Sequence, residues 1–241
     1  MIRPDRMAGR ESMFRFFPTP RTGVLAAMLM PALLAACGSG SPTYYTLREW
    51  PGAATHGGPE TLEIHSPSVS SYLDRDHVVR NDNGGRLKMA DDAAWGEPLG
   101  EMIGRTLAAD LRQRLPDVNV FLQDDASRTA ALAYVDLDVT RFAENEQGDA
   151  EITAILSVHP PGDGPFRSRT LHYTMPFPSG TTHPVEGLAS ALSQLLARVA
   201  DEAARDTLAL PPTSHVGGVT PMASVPPNGT GVPASLVPPN G

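Results

Sequence analysis

Pro98-Leu99-Gly100-Glu101-Met102-Ile103-Gly104-Arg105-Thr106-Leu107-Ala108-Ala109-Asp110-Leu111-Arg112-Gln113-Arg114-Leu115-Pro116 is the stretch on which the reading of the fold turns. Leu99, Met102, Ile103, Thr106, Leu107, Leu111 and Leu115 recur at three- and four-residue intervals, so a helix would gather them into one apolar stripe. Pro98 suits a first helical turn, where its missing N–H is not needed, and Pro116 stops the helix. The spacing predicts a helix of about 18 residues. The same periodicity returns from about Pro184 to Leu208, with Val185, Leu188, Leu192, Leu195, Leu196 and Val199 on the inner face of a second helix.

Strand patterns surround the two helices. Thr61 to His65 alternates polar and apolar residues, as a half-buried strand does. His77–Arg80 and Arg86–Met89 flank Asn81-Asp82-Asn83-Gly84-Gly85, whose turn chemistry predicts a hairpin. Val118–Leu122 reads as a short strand and Ala131–Phe142 as a long one, and Ala150–His159 and Ser168–Pro176 follow around the loop Pro160-Pro161-Gly162-Asp163-Gly164. Two helices against one sheet is the simplest packing of these parts. The expected fold is therefore α+β: a single mixed, mostly antiparallel sheet with two long helices packed on it, followed by a disordered C-terminal tail.

Composition sets the boundaries of that domain at 44–210. Residues 1–36 carry arginines, then an apolar run from Gly23 that ends in Leu34-Ala35-Ala36-Cys37. The run is shorter than the about 20 apolar residues a membrane-spanning helix needs, and its layout is that of a secretory signal. With the chain's one cysteine directly after Leu-Ala-Ala, it reads as a bacterial lipobox, cut before Cys37 and lipidated there. Residues 37–43 form a Gly/Ser/Pro tether that reaches roughly 20 Å at most. From Pro211 to Gly241, eight prolines and five glycines in 31 residues cannot build a packed core. This tail contains Val-Pro-Pro-Asn-Gly twice, at 225–229 and 237–241.

Charge narrows the partners. Without residues 1–36, 14 Lys and Arg face 25 Asp and Glu, a formal charge of −11, and Lys88 is the single lysine. Such a surface argues against nucleic acid and against a broad dock on anionic headgroups. A single cysteine excludes an internal disulfide, so stability rests on the core.

Catalytic signatures are missing. There is no His-Glu-x-x-His, Gly-x-Ser-x-Gly or phosphate-cradling Gly-x-x-x-x-Gly-Lys-Ser/Thr run. The histidines at 56, 65, 77, 159, 172, 183 and 215 show no zinc-ligand spacing, and the Asn81–Gly85 run lacks the closing glutamate of a calcium loop. No cofactor or metal is expected, and the protein is expected not to be an enzyme. Asp136 and Asp138 share one face of a strand whose Val135, Leu137 and Val139 face the other way, the pattern of a solvated carboxylate face. Trp95 reads as the first core residue at the start of the helix.

The order of motifs resembles a known family. The lipobox, Tyr44-Tyr45-Thr46-Leu47, Ser71-Tyr72-Leu73-Asp74-Arg75 with Val78-Val79-Arg80, Trp95-Gly96-Glu97-Pro98-Leu99 and Val135-Asp136-Leu137-Asp138-Val139-Thr140-Arg141-Phe142 together resemble the ABC-type transport auxiliary lipoproteins, PqiC/YmbA-like partners of MCE-domain lipid-transport systems. The resemblance implies a non-catalytic lipoprotein on the outer membrane, facing the periplasm and docking a lipid-transport conduit to that membrane. Its implied partners are an MCE-domain protein, the outer membrane through the lipid anchor, and further copies of itself in a homo-oligomeric ring. Gly38 fits that address, since aspartate after the cysteine would retain the protein at the inner membrane. Tyr72, Leu73, Asp74 and Arg75 are the docking candidates, because aromatic and arginine residues anchor interfaces. Alternatively, Asp74 and Arg75 bond nearby backbone while Tyr72 and Leu73 seal the core. The competing function is a structural or assembly lipoprotein of the envelope acting through its Pro-rich tail.

Overall fold

The computed structural model describes residues 41–82, 86–126, 129–178 and 184–211. The signal segment, Cys37, most of the tether, the tip of the hairpin, His183 and the tail from 212 lie outside the described residues. From Tyr44 on, the described residues belong to one compact unit.

Among the described residues, nine strands and two helices follow in the order β1 (Thr43–Tyr45), β2 (Thr61–Ile64), β3 (Ser68–Val69), β4 (His77–Asp82), β5 (Arg86–Trp95), α1 (Leu99–Arg114), β6 (Asn119–Leu122), β7 (Ala133–Glu144), β8 (Asp149–His159), β9 (Arg167–Pro176) and α2 (Pro184–Leu208). Helix α1 begins after Pro98, whose ψ of 131° is still extended, and ends at Leu115, one residue before the proline that stops it. Glu101 lies in the first turn of α1, and Arg112 and Arg114 in its last, each favourable against the helix dipole.

The expected single sheet is two. The larger has the order β6-β2-β7-β8-β9, with β3 also paired to β7, and the smaller has the order β1-β5-β4. In the larger sheet β2 and β3 run parallel to β7, whereas β7, β8 and β9 form an antiparallel meander. The hairpin β4–β5 stands beside β7 without backbone pairing, and the Arg80 Nε donates to Glu144 Oε2 at 2.6 Å across the gap. A period of two tells which face of a strand is buried but not which strand lies beside it, which is why the sequence could not separate the sheets.

Both helices lie on one face of the larger sheet, α1 over β3 and β6, α2 over β7, β8 and β9. All seven stripe residues of α1 are buried, as are the six inner residues of α2. They meet Leu62, Ile64, Val135, Leu137, Leu156 and Val158 in one core cluster. The smaller sheet adds Val78, Val79, Ala90, Ala93 and Trp95 to that cluster. Trp95 is thus a core residue, but it ends β5 rather than opening the helix.

The segment Leu47–Gly57 forms a strap across the helices. The Leu47 N–H donates to Met102 Sδ at 3.3 Å, Arg48 N–H to Ser193 Oγ at 3.1 Å, Trp50 N–H to Asp110 Oδ1 at 2.7 Å and Thr55 N–H to the Arg114 carbonyl at 2.8 Å. Arg114 is buried beneath it, donating to Asp201 Oδ1 at 2.6 Å and to the carbonyls of Trp50, Asp110 and Ala197. Its guanidinium passes so close to Gly52 that a Cβ there would lie 2.3 Å from the guanidinium carbon, so this crossing requires glycine.

Candidate docking surface

The loop between β3 and β4 holds the four docking candidates. It is a tight turn, with the Leu73 N–H donating to the Ser70 carbonyl at 2.8 Å and Arg75 N–H to the Leu73 carbonyl at 2.8 Å. Leu73 is 1% exposed and belongs to the core. Tyr72 packs against that core, and its hydroxyl donates to the Thr140 carbonyl at 2.9 Å. Thr140 is the extra residue of a β-bulge, where the β7–β8 register shifts between Val139 and Arg141, so Tyr72 supplies a partner to a carbonyl at the irregularity. Burial pushes the Tyr72 phenol above its ordinary pKa, with Arg141 opposing. Asp74 and Arg75 are exposed, and a partner at this loop would meet them directly.

Asp74 also stands on the rim of a groove of about 730 Å³ beside the first turns of α1. Pro67, Val69 and Leu122 supply its apolar lining, and Glu97, Glu101 and Asp124 join Asp74 as carboxylates. The one guanidinium among the lining residues, Arg105, is ion-paired with Glu97. The groove exists because α1 approaches the β2–β3 link closely: a Cβ on Gly104 would lie 2.9 Å from Pro67 Cδ, and one on Gly100 would lie 3.0 Å from the Pro67 carbonyl oxygen. The helical stripe of the sequence did not single out these two glycines, because their partner is a loop 33 or more residues away.

On the opposite face of the sheet, Asp136 is less solvated than its alternation suggested. Its Oδ1 accepts from His65 Nδ1 at 2.6 Å and its Oδ2 from His159 Nε2 at 3.0 Å. Tyr134 lies between the two imidazoles, its ring centroid 5.1 Å from His65 and 5.4 Å from His159, and Phe166 extends the row beyond His159. Asp138 accepts from Ser68 Oγ at 2.8 Å. His159 Nδ1 faces the Pro160 carbonyl at 2.9 Å, so both its ring nitrogens are engaged, and among the described residues no serine hydroxyl is hydrogen-bonded to either imidazole. The cluster therefore joins three strands and offers no nucleophile–base pair of the kind acyl transfer needs. Among the described residues no group of three or more His, Cys, Asp or Glu could hold a metal ion, and no helix is long and apolar enough to cross a membrane.

The architecture defines a class: a sheet with two helices on one face, a fold seen also in solved structures. An uncharacterized protein of known crystal structure aligns with a TM-score of 0.56 and 21% identity over 69% of this chain and 99% of its own. Protein XCC0632 from Xanthomonas campestris aligns with a TM-score of 0.57 and 22% identity over 69% of this chain and 95% of its own. At these identities the likeness is one of fold. The family is settled by its sequence model, which matches residues 45–204: the chain belongs to the ABC-type transport auxiliary lipoprotein components. No curated protein matches it.

Proposed function

We propose that this protein is a non-catalytic outer-membrane lipoprotein that docks the conduit of an MCE/ABC-type intermembrane lipid-transport system to the outer membrane, with several copies assembled around that conduit. The carrying observation is the family match, which spans nearly the whole folded unit from β1 to the last turns of α2. Acyl chains on Cys37 would hold the protein to the bilayer, each buried methylene contributing about 0.8 kcal/mol. The short tether keeps the folded unit near the acceptor membrane, so lipid leaving the conduit need not cross open water. Catalysis, including any ATP hydrolysis, belongs to other subunits.

The test is capture from intact cells. Photo-crosslinking from Asp74 and Arg75, followed by mass spectrometry, is expected to recover an MCE-domain protein. Cys37→Ser is expected to abolish fatty-acid labelling and the capture together. Recovery of cell-wall or unrelated outer-membrane proteins alone, or unchanged labelling of the serine variant, would refute the reading.

A further inference from the structure

The hairpin strand β5 opens with Arg86-Leu87-Lys88-Met89, and all four residues are exposed. Leu87 is 56% exposed and Met89 38%, placing both among the large apolar side chains left open to solvent. The pleat puts Leu87 and Met89 on one side of the strand and Arg86 and Lys88 on the other. One edge of β5 is paired with β4. The other is met by the three-residue β1, whose Tyr45 carbonyl accepts from the Gly96 N–H at the far end, so the stretch around Lys88 extends beyond β1. Asp91 and Asp92 follow, so the positive and apolar character is confined to these four residues.

The groove beside α1 is the counterpart of that stretch. Its lining is apolar at Pro67, Val69 and Leu122, and its rim carries four carboxylates against one guanidinium already paired to Glu97. It opens where β6 ends at Leu122, leaving the outer side of β3 without a neighbouring strand in the sheet order. Gly100 and Gly104 let α1 close on Pro67 at the floor of the groove, while Glu101 and Arg105 of the same helix stand along its wall. An extended segment with apolar residues on one side and a lysine on the other matches such a slot in shape and in charge.

We propose that the Arg86–Met89 segment of one copy of this chain seats in the α1 groove of a second copy. Leu87 and Met89 cover the apolar lining, and Lys88 reaches the carboxylates of Glu101 and Asp124. Within one chain the segment stands apart from its own groove: Glu97 of the lining follows two residues after Trp95, and the six steps of β5 from Met89 to Trp95 span about 20 Å. A second copy is the occupant the molecule itself specifies, because both halves of the match lie on this chain and Lys88 is its one lysine. The two surfaces differ, so the contact is head-to-tail and propagates until the rotation closes it. This inference rests on, and deepens, the assembly of copies proposed above.

A single lysine makes the contact addressable. The full chain in detergent micelles, mixed as light and isotope-labelled populations, is treated with a zero-length carbodiimide that joins amines to carboxylates. The expected products are chain-to-chain species in which Lys88 is bonded to Glu101 or Asp124, and Lys88→Arg removes them while sedimentation shows association retained. Lys88→Glu is expected to weaken association by about tenfold or more, and pairing it with Glu101→Lys to restore it. Circular dichroism confirms that the variants are folded. Lys88 bonded only within its own chain or to carboxylates outside the groove, association unchanged in Lys88→Glu, or Glu101 captured instead by another protein's lysine overturns the contact and leaves assembly standing. Sedimentation as a monomer at every concentration overturns both.

Discussion

Asp110 is fully buried under the strap, yet only one of its oxygens is satisfied: Oδ1 accepts from Trp50 N–H, and Oδ2 has no hydrogen-bond partner among the described residues. Desolvation pushes its pKa up to about 6, overriding the Trp50 hydrogen bond and Arg114, which both favour the charged form, while Glu49 and Asp201 add to the rise. Arg114 helps little because its guanidinium is directed to Asp201 and three carbonyls, with Asp110 Oδ1 no nearer than 3.9 Å. The folded protein thus binds this proton more tightly than the unfolded chain, whose carboxyl titrates near 3.9. The resulting stabilisation is full below pH ~4 and is lost as pH rises through 6, with a total on the order of 2–3 kcal/mol. Asp110→Asn keeps an acceptor for Trp50 and carries no charge. It is expected to raise the melting temperature at pH 7.5 and to flatten this group's share of the stability profile between pH 4 and 6, as urea titrations at stepped pH would show. A variant that melts lower than the wild type at pH 7.5 would contradict this.

At the level of elements, α1 depends on its stripe. Leu107 is fully buried, facing the core with no polar partner at hand. Leu107→Asp places an unpaired carboxylate there, at a cost of several kcal/mol and roughly the margin of a domain this size. Loss of the cooperative thermal transition is expected, and a soluble variant with wild-type far-UV circular dichroism would show the face to be wrong. The stripe was legible because helical periodicity is local, and so was α2, whose bounds Pro184–Leu208 are those its apolar spacing marked out. Strands were legible where they alternate over five or more residues. The three residues of β1 and two of β3 are too few to show a period, and they exist only because β5 and β7 pair with them. Side-chain clusters were not legible at all. His65 and His159 sit 71 and 23 residues from Asp136, and only the β2–β7 and β7–β8 registers bring them to it. The groove was hidden for the same reason, since Pro67 meets Gly104 through tertiary packing alone.

Across the whole molecule, the smaller sheet meets the larger one without a shared backbone ladder among the described residues. Its hairpin shares the core through Val78, Val79 and Trp95, but no backbone ladder joins it to β7, and Arg80–Glu144 is an ion pair across that seam. Glu144 is mostly buried, so removing it leaves the Arg80 guanidinium short of its partner. Glu144→Ala is expected to speed amide exchange in β4 and β5 by about tenfold or more while β7, β8 and β9 keep their protection, because local opening follows local stability. Uniform acceleration across both sheets would show that they open as one unit.

The strap has a mechanical consequence under the amino-terminal anchoring proposed above. A pull on that end meets the pairing of β1 with β5 first and then the Leu47, Arg48, Trp50 and Thr55 bonds in series, so they rupture one after another instead of sharing the load. Peeling Leu47 to Thr55 lengthens the leash by about 30 Å at the extended-chain rise. The molecule therefore carries spare slack, paid out in steps under tension before either helix is disturbed.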